Sequence, residues 1–432
     1  MSGSVVDNTV SSGNSSAAIP TDISGQILDL DEDDDLEVFS KDTTLTDGSS
    51  FNASMQTSPA SMINQYKFEE DADTKDIFVT VDNPESHVTA IETYITYRVM
   101  TKTTRSEFDS SEFEVRRRYQ DFLWLKGRLE EAHPTLIVHP LPEKFVVKGM
   151  VERFNEDFIE TRRRALHRFL NKIAEHPIFS SSEDFKIFLT AASGELTSHK
   201  KQGPGFLSRM GDTVKAVAAA VRGVRNRPQE FTEMQEYVEA FSQKISSLDK
   251  VTQRIVREQK EYLEELKECG PTYALWSQSE EELAEPLKNV AGCVDRCCKE
   301  TEEQVKNLSD QLIPVLHEYV LCADTLKAVL RRRDNIQADF EAKTEALATK
   351  KADRDTMRDD LDKAEDRLEW ANNALKSDWT RWQKVMRTDL RSAFVDTAER
   401  NVSYYEKCLA VWESFLHSQR TDAEGNGKVD FS

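Results

Sequence analysis

The stretch Arg116-Arg117-Arg118-Tyr119-Gln120-Asp121-Phe122-Leu123-Trp124-Leu125 decides the fold of the first half of this 432-residue chain. Before it, the residues of Glu112–Val115 alternate between polar and apolar, as in a half-buried strand. After it, Phe122, Leu125 and Leu129 follow helical spacing. The three arginines therefore stand where a strand becomes a helix, and we expect them to face solvent. Because guanidinium groups suit phosphate oxygens, this arrangement is typical of a phosphate-binding site.

Two further basic stretches follow within a short distance. They are Pro140-Leu141-Pro142-Glu143-Lys144 and Phe158-Ile159-Glu160-Thr161-Arg162-Arg163-Arg164. From Arg116 to Leu170 there are 12 Lys and Arg against 8 Asp and Glu, although the whole chain has a formal net charge of −21. The positive charge is thus local, and one anionic ligand could contact all three stretches.

These three motifs, in this order, resemble those of the PX (phox-homology) domain: Arg-Arg-Tyr-x-x-Phe, a Pro-rich turn ending in Lys, and an Arg that opens a later helix. The resemblance implies that Arg118 holds the 3-phosphate of phosphatidylinositol 3-phosphate and that Tyr119 stacks on the inositol ring. It also implies that Lys144 meets the 1-phosphate and that Arg162 bonds the ring hydroxyls. The family often has Pro where this chain has His139.

Other residues near these motifs have less definite roles. Val146, Val147 and Met150 could form an apolar tip that inserts into lipid, or they could belong to the core. We expect Arg163 and Arg164 to be ordinary surface cations.

Periodicity alone predicts a small α+β module. β-Branched and aromatic residues predict strands at Ile77–Val81, His87–Thr101 and Glu112–Arg116, with a turn at Asp82–Glu85. Helical patterns follow near Tyr119–Glu131, Met150–Ala174 and Asp184–Thr190. We therefore expect a small antiparallel sheet covered by helices.

The N-terminal region has a different composition. From Met1 to Asp76 there are 16 acidic residues and 3 basic ones, with few apolar groups. We expect residues 1–75 to form a disordered acidic tail, because little apolar burial is available to offset the entropy of ordering. The mixed acidic and apolar stretch Leu28–Phe39 could be a peptide ligand or simply part of a solvated spacer.

An amphipathic segment follows the predicted module. Gly and Pro predict a linker at Ser193–Gly205. On a helix, Phe206, Met210, Val214 and two later valines would share one face, and between Lys201 and Arg227 there are 6 basic residues and one acid. Such a helix could lie in a lipid interface, or it could dock on the neighbouring domain.

Long helices are expected in the second half. Residues 229–424 contain only two Gly and three Pro. At the start of this region, apolar residues recur at steps of 3 and 4, the spacing of a coiled-coil seam. They are Phe231, Met234, Val238, Phe241, Ile245 and Leu248. We expect Gly270-Pro271 to end the first helix and Pro314 to kink the second. Three such helices form a thin bundle whose apolar faces require a partner copy.

Three long helices after a PX domain resemble the BAR domain, and the chain as a whole is similar to the PX-BAR sorting nexins, nearest to the branch that contains sorting nexins seven and thirty. This predicts a disordered tail at 1–75, a PX domain at 76–192, a linker and amphipathic helix at 193–227, a BAR domain at 228–420 and a disordered tail at 421–432. Arg331-Arg332-Arg333 and Lys350-Lys351 are candidates for membrane contact along the arm and at its tip, or ordinary solvated charges.

The resemblance also implies a function. It predicts a peripheral protein on the cytosolic side of early or recycling endosomes, which dimerises, supports membrane tubulation and serves endosomal recycling and autophagy-linked transport. It implies a homodimer or a heterodimer with another sorting nexin. For the heterodimer, the resemblance indicates sorting nexin four as the partner. No segment has the length and apolarity of a membrane span, and the N-terminus lacks the pattern of a signal peptide.

Several classes of protein fit the sequence poorly. No catalytic motif is found, so we expect neither an enzyme nor a cofactor, and we expect no nucleic-acid partner. Cys293 and Cys297 have the spacing of metal ligands on a helix, but no second pair completes a tetrahedral set, so we expect buried reduced thiols and no metal. The alternative to a lipid-binding protein is a coiled-coil scaffold whose PX-like module binds protein.

Overall fold

The computed structural model describes residues 75–89, 93–143, 155–201, 224–349 and 354–426, with side chains as far as Arg420. Three strands with short helices are followed by four long helices. The predicted fold class, an α+β module followed by a long helical region, is therefore confirmed. The predicted N-terminal tail lies outside the described residues, apart from Lys75.

The sheet is antiparallel, with the order β1 (Ile77–Val88), β2 (Thr93–Thr103) and β3 (Glu112–Arg118). Its registers align Val81 with Val99 and Val99 with Val115. Alternate residues of β1 are buried, as expected for a sheet with one face in the core.

The predicted turn at Asp82–Glu85 is wrong, because these residues lie inside β1. The register of β1 against β2 shifts between Asp82 and Glu85, which is an irregularity of the β-bulge type. Asn83 has a φ of 43°, a left-handed conformation that Asn tolerates better than most residues. Polar residues and a proline marked a change of backbone direction, but the strand resumes after it.

Five helical elements accompany the sheet in the part of the α+β module that the structure describes. They are α1 (Tyr119–Ala132), α2 (Glu156–Ala174), a 3-10 turn (Phe179–Ser181), α3 (Glu183–Thr190) and α4 (Ser193–Lys201). The first nine residues of the predicted linker Ser193–Gly205 form α4. The Glu195 carboxylate accepts a hydrogen bond from Ala192 N at the start of α4, and Leu196 is buried, so capping and one apolar anchor support this short helix.

The long helices are α5 (Gln229–Trp276), α6 (Ala284–Asn307), α7 (Ile313–Thr349) and α8 (Arg354–Asn426). Gly270-Pro271 does not end α5, which continues to Trp276 and so corrects the prediction. A Cβ atom at Gly270 would lie 2.2 Å from Asp295 Oδ1. The glycine therefore leaves space for the Asp295 carboxylate of α6 and does not serve as a stop signal.

A π-helical turn at Leu308–Leu312 joins α6 to α7 and immediately precedes Pro314. Proline lacks a backbone N–H, so the regular hydrogen-bond ladder is interrupted near this position. The sequence predicted a disturbance at Pro314, and the structure has the irregular turn just before it.

The predicted seam of α5 is buried in its first part. Phe231, Val238 and Ile245 pack with residues of α7 and α8, among them Leu316, Tyr319, Leu326, Trp379 and Trp382. Leu248, the last residue of the predicted seam, is exposed. The buried stripe of α5 continues instead through Asp249, Thr252, Val256 and Leu263, so Leu248 lies beside it.

Candidate functional site

Arg118 stands where β3 passes into α1. It is the last residue of the strand and the N-cap of the helix, with φ −81° and ψ 162°. Its backbone N–H donates to Asp121 Oδ2 at 2.8 Å. Its guanidinium carbon lies 3.3 Å from the centroid of the Tyr94 ring, on β2. The helix start thus fixes the backbone of Arg118, and an aromatic ring supports its side chain.

Tyr119, the first residue of α1, and Arg162, on α2, contact each other directly. The guanidinium carbon of Arg162 lies 4.3 Å from the Tyr119 ring centroid and 4.5 Å from that of Phe158. The Tyr119 hydroxyl donates to the Pro142 carbonyl, and Arg162 donates to the Glu143 carbonyl at 3.4 Å. The Pro-rich turn therefore meets both α1 and α2.

Three of the four predicted headgroup residues are thus placed at one location: Tyr119 contacts Arg162, and Arg118 adjoins Tyr119. Lys144 follows Glu143 in the chain, but it lies outside the described residues. The proposed membrane-inserting side chains also lie outside them, namely Val146, Val147, Met150, Phe206, Met210 and Val214. Their roles stay predictions.

The prediction that all three arginines of the triplet face solvent is wrong for Arg117. Its side chain is 1% exposed, with Nε 2.8 Å from Phe188 O and Nη2 2.6 Å from Ala191 O. Burial lowers the pKa of Arg117 to about 10. Because β3 continues through Arg118, successive side chains point to opposite faces, and the middle arginine enters the core side. Extending the strand pattern by two residues would have predicted this.

Arg116 lies on the same face as Arg118 and is held by oxygen atoms. Its Nε donates to Thr96 Oγ1 at 2.9 Å, and Nη2 donates to Asn83 O at 2.8 Å. Its Nη1 pairs with Glu85 at 3.0 Å. The bulge in β1 therefore supplies acceptors for the first arginine of the triplet.

The prediction that Arg163 is an ordinary surface cation is wrong, because its side chain joins α2 to β1. Its Nη1 donates to Val81 O on β1 at 2.7 Å, and its Nε donates to Glu160 Oε2 at 2.7 Å. The hydrogen bond from Arg163 is the largest of the effects that lower the pKa of Glu160 to about 2. On the same helix, His167 Nδ1 accepts from Val81 N and Asn171 donates to Val79 O.

A buried charged cluster joins the α+β module to the helical bundle. Asp378 of α8 is fully buried and accepts hydrogen bonds from Ile137 N at 2.6 Å, His176 Nε2 at 3.1 Å and Arg381 Nε at 2.6 Å. Burial alone would raise the pKa of Asp378, but Arg381, His176 and the Ile137 N–H outweigh it and hold the pKa well below the usual range.

The bonds of His176 define its protonation state. Its Nδ1 accepts from the backbone N–H groups of Ile178 and Phe179, at 3.1 and 3.3 Å. The ring proton must therefore be on Nε2, which donates to Asp378. Burial lowers the pKa of His176 to about 4, so the imidazole is neutral near pH 7.

Further ion pairs extend this contact. Glu318 of α7 pairs with Arg168 at 2.6 Å and with His139 at 2.9 Å, and Lys172 pairs with Asp389 of α8 at 2.6 Å. Although burial opposes it, His139 and Arg168 lower the pKa of Glu318 to about 2. His139, which stands where the family often has Pro, is thus a contact to the bundle.

The candidate membrane contacts of the bundle are only partly supported. Arg333 is fully buried, with its guanidinium carbon 3.9 Å from the Phe231 ring centroid. Arg332 donates to Pro134 O at 2.8 Å. Neither can serve as an open arm contact, and only Arg331 of this triplet is exposed. Lys350-Lys351 lies outside the described residues.

The cysteines of the bundle are free thiols. Cys293, Cys297, Cys298 and Cys322 are buried. Burial raises the pKa of Cys297 to about 12. Among the residues that the structure describes, no group of three or more His, Cys, Asp or Glu side chains is arranged to hold a metal ion.

The distal bundle exposes two apolar stripes. On α8 the exposed positions are Val402, Tyr405, Leu409, Trp412 and Leu416, and on α5 they are Leu248, Val251, Ile255 and Tyr262. Each set has steps of 3, 4 or 7 residues, the spacing of a helical seam. We define these nine residues as the distal apolar stripes. No helix within the described ranges is long and apolar enough to cross a membrane.

Comparison with known proteins defines the class of the molecule. The PX domain model matches residues 105–192, and the model described as Vps5 C terminal like matches residues 207–388. The fold resembles the cryo-EM structure of the SNX-BAR Mvp1 tetramer, with a TM-score of 0.52, 17% sequence identity, and coverage of 78% of this chain and 99% of that one. The chain is thus a PX domain joined to a BAR-like helical region.

Two relatives place it more closely. Human sorting nexin-7 is 64% identical over 373 residues, covering 86% of this chain and 96% of the relative. Sorting nexin-30 of Xenopus tropicalis is 47% identical over 390 residues, covering 90% of this chain and 87% of the relative. The chain belongs to the PX-BAR sorting nexins, as its motifs predicted.

Family membership carries general properties. PX-BAR sorting nexins are membrane-associated sorting proteins that bind phosphoinositide membranes and dimerise, and this implies peripheral association with endosomal membranes. The relatives are named as sorting nexins, and these names indicate no catalytic function.

Proposed function

We propose that this chain binds phosphatidylinositol 3-phosphate on early or recycling endosomes through Arg118, Tyr119, Lys144 and Arg162. The observation that carries the proposal is the contact between Tyr119 and Arg162 beside the Pro142–Glu143 turn, with Arg118 at the adjoining strand end. The Arg162 guanidinium lies against the Tyr119 ring, and Arg118 adjoins Tyr119 in the chain. Guanidinium groups suit the phosphate and the hydroxyls of an inositol ring.

Each side chain has a proposed role within this arrangement. Arg118 binds the 3-phosphate, Arg162 bonds the ring hydroxyls, and Tyr119 contacts the inositol ring. Lys144, next to Glu143, meets the 1-phosphate as a point charge on a flexible stem. The positive charge of this region within an acidic chain supports an anionic ligand.

We further propose that the helical region dimerises through the distal apolar stripes and that the dimer supports membrane tubulation, endosomal recycling and autophagy-linked transport. The partner is a second copy or another sorting nexin, with sorting nexin four as the proposed heterodimer partner. Val146, Val147 and Met150, with the amphipathic segment from Phe206, would add membrane contacts. Several modest contacts with one membrane would multiply their effects through effective concentration.

We propose the domain limits that the sequence predicts. Residues 76–192 would form the PX domain, 193–227 the connecting segment with the amphipathic helix, and 228–420 the BAR domain. Residues 1–75 would be the disordered acidic tail. The prediction of a disordered C-terminal tail from residue 421 is wrong for residues 421–426, because α8 continues to Asn426.

Flotation of the full chain with liposomes tests the headgroup assignment. We expect binding to vesicles that contain phosphatidylinositol 3-phosphate, and weaker binding to otherwise identical vesicles with phosphatidylinositol. Arg118→Ala should weaken binding at least about tenfold, because charge-assisted hydrogen bonds to phosphate are lost. Lys102→Ala, at an exposed cation of β2 at the opposite end of the sheet from Arg118, is the matched control.

Equal flotation of Arg118→Ala and the parent chain would refute the pocket. Binding that does not depend on the 3-phosphate would do the same, and would favour the scaffold alternative, in which the PX module binds protein.

A further inference from the structure

We propose that Tyr94 is a further residue of this site, and that its ring positions the Arg118 guanidinium for a phosphate monoester. This inference rests on the proposed function, because it concerns the same headgroup site. Tyr94 lies on β2, outside the motifs that mark the site in the sequence. Its contact with Arg118, at 3.3 Å from guanidinium carbon to ring centroid, is the shortest of the cation–π distances given above.

Tyr94 restrains Arg118 by a contact of a different kind from the hydrogen bonds of its neighbours. Arg116 and Arg117 direct N–H groups at oxygen atoms of Thr96, Asn83, Phe188 and Ala191. The Tyr94 ring centroid lies 3.3 Å from the guanidinium carbon of Arg118, and a ring face offers no lone pair to the guanidinium N–H groups, which point outward from the edge of the group. The ring itself therefore takes up none of the donors that a phosphate would use.

The Tyr94 ring is itself held in place. His87 is its direct neighbour across β1 and β2, and the two rings stack with centroids 5.1 Å apart and planes at 20°. His87 Nε2 lies 2.8 Å from Thr96 Oγ1, the same hydroxyl that accepts from Arg116 Nε at 2.9 Å. The support of Arg118 thus continues into the sheet through Tyr94 and His87.

Restraint of this kind increases affinity by reducing the freedom that a side chain loses on binding. A long arginine side chain that is ordered before the ligand arrives loses less rotamer entropy when the complex forms. The ring is the part of Tyr94 that makes this contact, so phenylalanine should replace it and an aliphatic residue should not.

Tyr94→Phe and Tyr94→Leu in the full chain form the test, with vesicles that contain phosphatidylinositol 3-phosphate and with soluble inositol 1,3-bisphosphate as a second probe. We expect Tyr94→Phe to bind both probes within about twofold of the parent and Tyr94→Leu to bind both about tenfold more weakly, the range of a desolvated cation–π contact. Loss of vesicle binding alone, with the soluble headgroup bound normally, would contradict the proposal and indicate a lipid contact instead.

A double-mutant cycle with Arg118→Ala separates positioning from general damage. If Tyr94 acts through Arg118, Tyr94→Leu should have no further effect in the Arg118→Ala background. The midpoint of thermal unfolding should be similar in Tyr94→Phe and Tyr94→Leu. Should Tyr94→Leu fail to fold, Tyr94→Met occupies similar space without a ring and takes its place.

The outcomes distinguish the two proposals. If the parent chain and Arg118→Ala bind equally, the headgroup site fails, and the role of Tyr94 with it. If Arg118→Ala loses binding while Tyr94→Leu or Tyr94→Met retains it, the headgroup site stands and the role of Tyr94 is refuted.

Discussion

His176 Nε2 donates a hydrogen bond to Asp378 Oδ1 at 3.1 Å, although 202 positions separate the two residues in the chain. Both side chains are almost completely buried. One belongs to the PX domain and the other to α8 of the BAR-like region. The two regions are thus joined by a satisfied buried cluster, in contrast to domains that communicate only through a flexible connection.

Removal of the Asp378 charge should destabilise the contact between these regions. In Asp378→Asn, Arg381 loses its buried counter-ion and the N–H of Ile137 loses a charged acceptor, so we expect a loss of roughly 3 kcal/mol in the free energy of unfolding. Chemical denaturation followed by tryptophan fluorescence measures it. Asp359→Asn, at an exposed site on the same helix, should change stability by less than about 0.5 kcal/mol. Equal stability of the two variants would show that the cluster contributes little.

The buried imidazole should make stability dependent on pH. The folded pKa of His176 is lowered to about 4, whereas an unfolded histidine titrates near about 6.5. Below that value the unfolded chain binds a proton that the folded chain excludes. The contribution of His176 is therefore complete above pH ~6.5 and falls by about 1.4 kcal/mol per pH unit towards pH ~4.

Thermal unfolding of the parent chain and His176→Gln between pH 7 and pH 4.5 checks this dependence. His133, whose pKa burial also lowers to about 4, contributes in the same direction in both proteins. As the pH falls, we expect the stability of His176→Gln to decline less steeply than that of the parent chain. The difference in slope should correspond to the uptake of about one proton on unfolding. Parallel curves would contradict the assignment of a neutral buried imidazole.

Arg117 and Arg118 are adjacent but should respond to substitution in opposite ways. Arg117→Ala leaves the carbonyls of Phe188 and Ala191 without their donor and opens a cavity, so we expect a loss of about 3 kcal/mol in stability. Arg118→Ala should change stability by less than about 1 kcal/mol but weaken headgroup binding. Thermal unfolding and liposome flotation are measured on both variants, so that each variant is the control for the other. A binding defect with normal stability in Arg117→Ala would contradict a purely structural role for Arg117.

The distal apolar stripes should mediate association of chains. Leu409→Asp places a charge where two apolar surfaces would meet, so we expect the dimer to weaken at least about a hundredfold. Light scattering coupled to size-exclusion chromatography measures the mass. Thr356→Asp adds the same charge to an exposed site near the start of α8 and should leave the mass unchanged. A Leu409→Asp protein with the parent mass would exclude this surface.

Local patterns predicted much of the fold. The strand that ends in the arginine triplet, the helix from Tyr119 and the long helices all follow from the spacing of apolar residues over short windows. The errors occurred where a local signal had a second explanation. Polar residues and Pro84 marked a bulge and not a turn, and Gly270 leaves space for the Asp295 carboxylate and does not end a helix.

The site was only partly predictable for a different reason. Arg118, Tyr119 and Arg162 belong to motifs, and the resemblance was sufficient to select them. Tyr94 carries no such signal, because its proximity to Arg118 arises from the pairing of β2 with β3. The buried cluster at Asp378 depends on contacts across more than 200 positions, which no local window contains.

Side chains of α2 bond to backbone groups of β1, and this limits how other polypeptide chains can bind along that outer strand. An outer strand with unsatisfied backbone groups is a template on which foreign strands can assemble, and this is a common route to aggregation. Along β1 the backbone groups of Val79 and Val81 are already bonded to Asn171, His167 and Arg163. An incoming extended peptide would have to displace all three before it could extend the sheet there, so recruitment by strand addition is disfavoured along this segment.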